Sequence, residues 1–183
     1  MTGERRYPEK AVGDFVAPPA SFTDAAARTI DFLAHGDGPI DAEREALAEM
    51  YANFDSADRA QGVPPIREPA VREWLDALLS EDAVNVLAWH DEFVAGHATL
   101  VPGTEDAHEL AIFVHHQYQG AGIGSRLIRH LLGEGARRGI KRVWLTVERW
   151  NTPAVNLYRD VGFETTNAES FELEMAIRLD TPE

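Results

Sequence analysis

Glycines at 120, 122 and 124 stand inside QGAGIGS, from Gln119 to Ser125, between two stretches of opposite periodicity. Before them runs ELAIFVH, Glu109 to His115, apolar enough for a strand. After them, Leu127, Ile128, Leu131, Leu132 and Ala136 form one helical stripe that Gly139 ends. A strand entering a helix through glycines presents free backbone N–H groups and the positive end of a helix dipole, about +0.5 charge, to an anion. A phosphate site is the functional reading of this turn, and a turn that simply starts a helix is the plain one.

Reading outward, the period is two from Ala83 through VNVLAWH, then a turn at Asp91-Glu92, then FVAGHATLV, where Val94, Gly96, Ala98 and Leu100 share a face. This predicts an antiparallel hairpin. Downstream come strand VWLTVE (Val143 to Glu148), a helix opening at Asn151 with Pro153 just inside it, the pair Gly162-Phe163, and a last apolar strand within FELEMAIRL. Upstream, SFT and RTIDFLA flank DAAA as an edge hairpin. Asp41 to Phe54 predicts an amphipathic helix behind an Asp cap, with Ala46, Leu47, Met50, Tyr51 and Phe54 on one side. A proline-punctuated loop, Ser56 to Pro69, leads to a second helix carrying Val71, Trp74, Leu75, Leu78 and Leu79. Residues 1–20, with Pro8, Pro18 and Pro19, read as a loosely held extension without chemistry, and 21–183 as one α/β (α+β) domain with a mixed sheet flanked by helices.

Composition narrows the chemistry. With no cysteine there are no disulfides, thiolate metal sites or cysteine nucleophile. Acidic residues number 31 against 17 basic ones, a formal charge of -14 that repels nucleic acid and anionic membranes. Lysine occurs only at Lys10 and Lys141. Many carboxylates with few lysines suit a salt-rich, halophilic cytoplasm, and equally an ordinary acidic enzyme. No apolar run approaches the ~18 residues of a membrane span, and MTGERRYPEK has no apolar core of a secretory signal, so the expectation is a cytoplasmic protein.

Two phosphate motifs compete for the glycine turn. A P-loop needs Gly-Lys-Ser/Thr, and no lysine lies near. A Rossmann fingerprint, which would imply a nucleotide-binding oxidoreductase, would use Glu148 as its ribose acid. Its third glycine falls on Ser125, the turn after His115 is long, and the chain after Glu148 is too short for further βαβ units. In contrast, Gln119, Gly122 and Gly124, with Val114 five residues before Gln119, resemble the acetyl-CoA motif of the GNAT superfamily of N-acetyltransferases. Leu145, Val147, Asn151, Ala154, Leu157-Tyr158 and Gly162-Phe163 resemble that family's second conserved stretch in register. VAG in the preceding strand is also usual there.

The resemblance implies a GNAT-like domain, its mostly antiparallel sheet splayed between the family's fourth and fifth strands, here ELAIFVH and VWLTVE. It implies that backbone at Ile112, Phe113 and Val114 pairs with the pantetheine arm of acetyl-CoA, and that amides of Gly120, Ala121, Gly122, Ile123, Gly124 and Ser125, with Gln119, hold the pyrophosphate. Asn151 would contact the cofactor or cap its helix; Arg126 and Arg129 would meet the 3′-phosphate or face solvent. Tyr158 matches the general acid that protonates the departing thiolate. The base is Glu148 or, alternatively, Glu109, unless both are surface carboxylates. His115, His116 and His108 lack a carboxylate at ligand spacing, so no metal is expected, and the histidines are expected at the cleft mouth. The acceptor is a primary amine, whether small molecule, peptide N-terminus or lysine, and loop Ser56 to Pro69 should border it. A homodimer is compatible. A catalytically silent acyl-CoA-binding module on the same fold is the competing reading.

Overall fold

The computed structural model describes residues 4–55, 64–169 and 171–181. Its elements are β1 (Ala11–Val12), β2 (Ala20–Thr23), β3 (Thr29–Ala34), α1 (Glu43–Ala52), α2 (Glu68–Leu78), β4 (Val84–His90), β5 (Phe93–Pro102), β6 (Ala107–Val114), α3 (Ile123–Arg137), β7 (Arg142–Glu148), α4 (Thr152–Val161), β8 (Glu164–Ala168) and β9 (Glu172–Leu179). The sheet order is β1-β9-β7-β6-β5-β4-β3-β2, with β8 on β9. Among these ladders β6 with β7 and β1 with β9 are parallel, the others antiparallel. The expected mixed, mostly antiparallel sheet is therefore present. No helix among the described residues is long and apolar enough to cross a membrane.

Period-two alternation divides the sheet into two cores. Leu110, Val143, Leu145, Val147, Met175 and Ile177 bury one face against Leu127, Ile128, Leu131 and Leu132 of α3 and Val155 of α4. Leu87, Trp89 and Phe113 on the other face pack with Leu47, Met50 and Tyr51 of α1 and Val71 and Leu75 of α2. Each such buried aliphatic or aromatic side chain contributes roughly 1.5–3 kcal/mol, so both faces hold their helices firmly. Most predicted elements stand where periodicity placed them. Local details differ: α1 begins after Ala42 with no side-chain cap, so Asp41 does not cap it. Glu43 accepts instead from His35 Nδ1 and from the Gly36 amide at 3.1 Å, which ties the helix start to the end of β3. The strand β8, polar along its length, carried no period to announce it.

The first twenty residues are not loosely held where they are described. Val12 and Ala11 pair with Leu179 and Arg178 of β9. His130 Nδ1 donates to Val16 O at 2.7 Å. A Cβ placed on Gly133 would lie 2.5 Å from the Val16 carbonyl carbon, so glycine in mid-helix admits this backbone. Local pattern missed the segment because its anchors are all long-range. We expect Gly133→Ala, usually a gain of ~1 kcal/mol inside a helix, to cost about 1–3 kcal/mol instead. Urea unfolding measures this; a more stable variant would show that Val16 does not rest on α3.

Candidate active site

The gap predicted between two strands exists, and it is short of partners for a definite reason. β6 and β7 pair over only three positions, Ala107, His108 and Glu109 with Arg142, Val143 and Trp144. Beyond that, β6 runs on to Val114 and β7 to Glu148 without pairing. One edge of β6 stays bonded to β5 up to Gly96 and Val114, leaving alternate backbone groups of its other edge free for an extended ligand. The side chains of Ile112 and Phe113, two of the three residues named for this role, pack into the cores on opposite faces of the sheet. Phe113 packs edge-on against Trp74 at 5.3 Å and Tyr51 at 5.6 Å, and Ile112 packs against the α3 core.

At the open end of β6 the chain makes a 3-10 turn, His116–Tyr118, and enters the glycine segment. Gly120 and Gly122 take φ of +72° and +87°, a region that costs other L-residues energy. Gly122 is the N-cap of α3 and no side chain caps it. The first amides of α3 thus remain unclaimed by a cap and face outward with the helix dipole behind them. A Cβ on Gly120 would meet nothing within 4 Å and one on Gly124 only Leu157 and Val114 at 3.8 Å, so the concavity is open. These features fit a pyrophosphate. Gln119 is more specific than its motif suggests: its Nε2 donates to Val114 O at 3.1 Å, which explains the five-residue spacing between them. We expect Gly122→Ala to lose ~1–2 kcal/mol of stability through strain at positive φ and to weaken coenzyme A binding. Calorimetric titration and thermal unfolding would check both, and unchanged binding would remove the cradle assignment.

The turn is braced from the β2–β3 hairpin by residues the sequence did not single out. Asp24, 5% exposed, accepts from the Ala26 and Arg28 amides and from Arg28 Nε. Desolvation pushes its carboxyl up, but the Arg28 side chain and these amides outweigh it and hold the group below its ordinary value. Arg28 reaches across to Gln117 O at 3.1 Å and lies 4.2 Å over the Tyr118 ring. Tyr118 in turn bonds His90 Nδ1 at 2.7 Å. No motif spacing encodes this chain of contacts; only its pairing of Asp and Arg at i,i+4 was visible. Arg126 lies over Phe22 at 4.1 Å and bonds Gly122 O, while Arg129 bonds Ser125 Oγ and Asp160 O, so both are spoken for at the edge of the turn.

On the far side of the gap, Asn151 Oδ1 accepts from Ala154 N at 3.3 Å and caps α4. Tyr158, two turns on, is half-buried with its ring 5.9 Å from Phe163, and burial pushes its hydroxyl up to about 12. Glu148 ends β7, exposed, directly across from Glu172. Glu109 stands at the root of the gap; desolvation pushes its carboxyl up and Arg5 partly offsets this. His115 and His116 stack at 4.2 Å and line, with Glu49, Asn53, Glu92 and Tyr118, a cavity of about 440 Å³ beyond the end of β6. His108 is at the opposite end of the strand, and no group of three potential metal ligands gathers among the described residues. Of the loop expected to border the acceptor, 56–63 lie outside the described residues, and Pro64 to Arg67 lead into α2.

A strand pair opened over a glycine turn and an uncapped helix is the pattern against which known proteins can be compared. The family model of the GNAT acetyltransferases matches residues 46–163. The chain belongs to this family. An uncharacterised N-acetyltransferase of Mycobacterium tuberculosis is 32% identical over 87 residues, 47% of this chain and 56% of that protein. The match thus spans little more than half the length of that relative. Among solved structures, the GNAT domain of S. lividans PAT superposes with a TM-score of 0.73 at 18% identity, covering 87% of this chain and 96% of that one. The ribosomal L7/L12 α-N-protein acetyltransferase RimL in complex with coenzyme A does so at 0.67 and 17% identity, covering 84% and 96%. At these identities the two structures speak for the GNAT fold.

Proposed function

We propose that this GNAT chain is an acetyltransferase that moves an acetyl group from acetyl-CoA directly to a primary amine. The observation that carries the reading is the opening of β6 from β7 after three paired positions, above a turn whose helix amides no side chain caps. Acetyl-CoA supplies the activated thioester. The chain's own residues do the rest: backbone at Ile112, Phe113 and Val114 aligns the pantetheine arm, and amides from Gly120 to Ser125 hold the pyrophosphate, in a turn that Gln119 braces. Asn151 keeps α4 in register so that Tyr158 reaches the gap.

Burial alters the part proposed for Tyr158. With the hydroxyl near 12 and a thiol near 8.5, full proton transfer to the thiolate is uphill by about 5 kcal/mol. Tyr158 Oη therefore acts as a neutral O–H donor that stabilises charge as the thiolate leaves, and no loss of activity from its ionisation should appear below about pH 11. The amine's proton passes to a carboxylate on the α1 side of the sheet. Glu148 at the open end of β7 is proposed for this; Glu109, whose desolvated carboxyl holds a proton more readily, is the other candidate at the root of the gap.

Thiol release from acetyl-CoA, followed across a panel of small amines, peptides with free N-termini and lysine peptides at low and high salt, tests the proposal. Release with at least one amine class is expected. Tight acetyl-CoA binding without release from any of them would sink it in favour of a silent binding module.

A further inference from the structure

The N-terminal segment reaches the root of the gap as well as the edge of the sheet. Arg5 places its guanidinium 3.5 Å over the ring of Trp144, with Nε 3.2 Å from Glu174 Oε2. Trp144 is the last β7 residue paired with β6, and its partner there is Glu109. Glu174 lies on β9 opposite Thr146. Residues in register project to the same side of a sheet, and residues two apart on one strand do so too. Glu109, Trp144 and Glu174 therefore stand together on the face that carries Phe113 and α1, where an amine would approach.

An indole face flanked by carboxylates is a receptor for a planar or tetrahedral cation, stronger where water is partly excluded. Here it already holds one, and Arg5 keeps only 27% of its side-chain exposure. Nearer to Arg5 the segment is held by side-chain contacts, Arg142 lying 5.5 Å over the Tyr7 ring and Arg178 Nη1 donating to Glu9 O at 3.3 Å, and strand pairing begins only at Ala11, so Arg5 can leave without unpairing a strand. Arg5 and Glu174 lie outside residues 46–163 that match the family, while Trp144 and Glu109 lie inside.

We propose that Trp144, Glu174 and Glu109 form a cation site in the acceptor cleft that takes the guanidinium or alkylammonium end of a dicationic acceptor, and that Arg5 is the tethered competitor it displaces. The proposal rests on the acetyl-transfer reading above for the acceptor's second group, the amine that is acetylated. A tethered arginine acts at millimolar effective concentration, which sets a threshold below which cationic amines are excluded. The chain's charge of -14 enriches such amines nearby.

Agmatine, a guanidine with a primary amine four carbons away, is the probe, and n-butylamine is its control without the second cation. Calorimetry on the full chain should show Arg5→Gln binding agmatine roughly 3- to 10-fold more tightly than the unmodified protein, with n-butylamine unchanged. Adding Glu174→Gln or Trp144→Leu to Arg5→Gln should abolish that gain, with thermal unfolding of each variant confirming a folded protein. Unchanged or weaker agmatine binding in Arg5→Gln would overturn the proposal, as would equal tightening of n-butylamine. Tightened agmatine binding without thiol release from any amine would uphold the cation site and remove the acetyl-transfer reading instead. Thiol release that treats agmatine and n-butylamine alike in every variant would do the reverse.

Discussion

Tyr158→Phe should lower the turnover of acetyl transfer by ~10²-fold or more while coenzyme A affinity stays within about twofold. The expectation follows from where the hydroxyl sits. Among the described residues no side chain bonds it, and the ring itself packs on Phe163, so removing one oxygen leaves the fold and the glycine turn untouched. What is lost is an O–H donor kept neutral by burial at every working pH. Single-turnover kinetics with acetyl-CoA and the best amine of the panel would separate this from a binding effect. Near-normal turnover would remove Tyr158 from the mechanism, and a matching loss of coenzyme A affinity would reassign it to positioning.

A second large effect concerns acid stability and arises beneath α1. Asn85 Nδ2 donates to Leu78 O at 2.8 Å, so its Oδ1 accepts from His97 Nε2 at 2.7 Å. His97 Nδ1 must then accept from Tyr51 Oη at 2.6 Å. The imidazole is neutral in one tautomer, fully buried between β4, β5 and α1, and desolvation lowers it from 6.5 to about 3. Once unfolded, His97 takes a proton near pH 6.5, so the unfolded chain binds more protons than the folded one between about pH 6.5 and 3. Stability from this group is complete above that window and falls by ~1.4 kcal/mol per pH unit within it as pH drops. His35, raised by its bond to Glu43, contributes in the opposite sense and is lost as pH rises.

His97→Leu isolates the term. At pH 7.5 it should cost about 2–5 kcal/mol, because Tyr51 and Asn85 lose their partner in the core. Its acid limb should nevertheless be shallower by up to one proton than that of the unmodified protein. Urea midpoints from pH 7.5 to 4 measure both, and parallel limbs would show that His97 is not the buried group that takes up the proton.

Much of this was written in local pattern. The period of two in VNVLAWH and FVAGHATLV, the helical stripe from Leu127 to Ala136 and the glycines between Gln119 and Ser125 each act through neighbours a few residues away. Such signals survive without knowledge of the fold. The Asp41 cap misled because Glu43 found His35 and Gly36 across a turn. Residues 1–20 misled because strand pairing with β9 and the seat on Gly133 involve partners more than a hundred residues distant.

What the sequence by itself determined is the order of most elements and a glycine turn that opens a helix, since positive φ at glycine, amphipathic period and helix amides are properties of short segments. Only the tertiary structure decided that β6 and β7 part after Glu109 and Trp144, that Asp24 and Arg28 brace the turn, that Tyr158 is held neutral and that Arg5 rests on Trp144. Desolvation and cross-strand proximity are set by what packs around a residue, and that is a property of the folded chain.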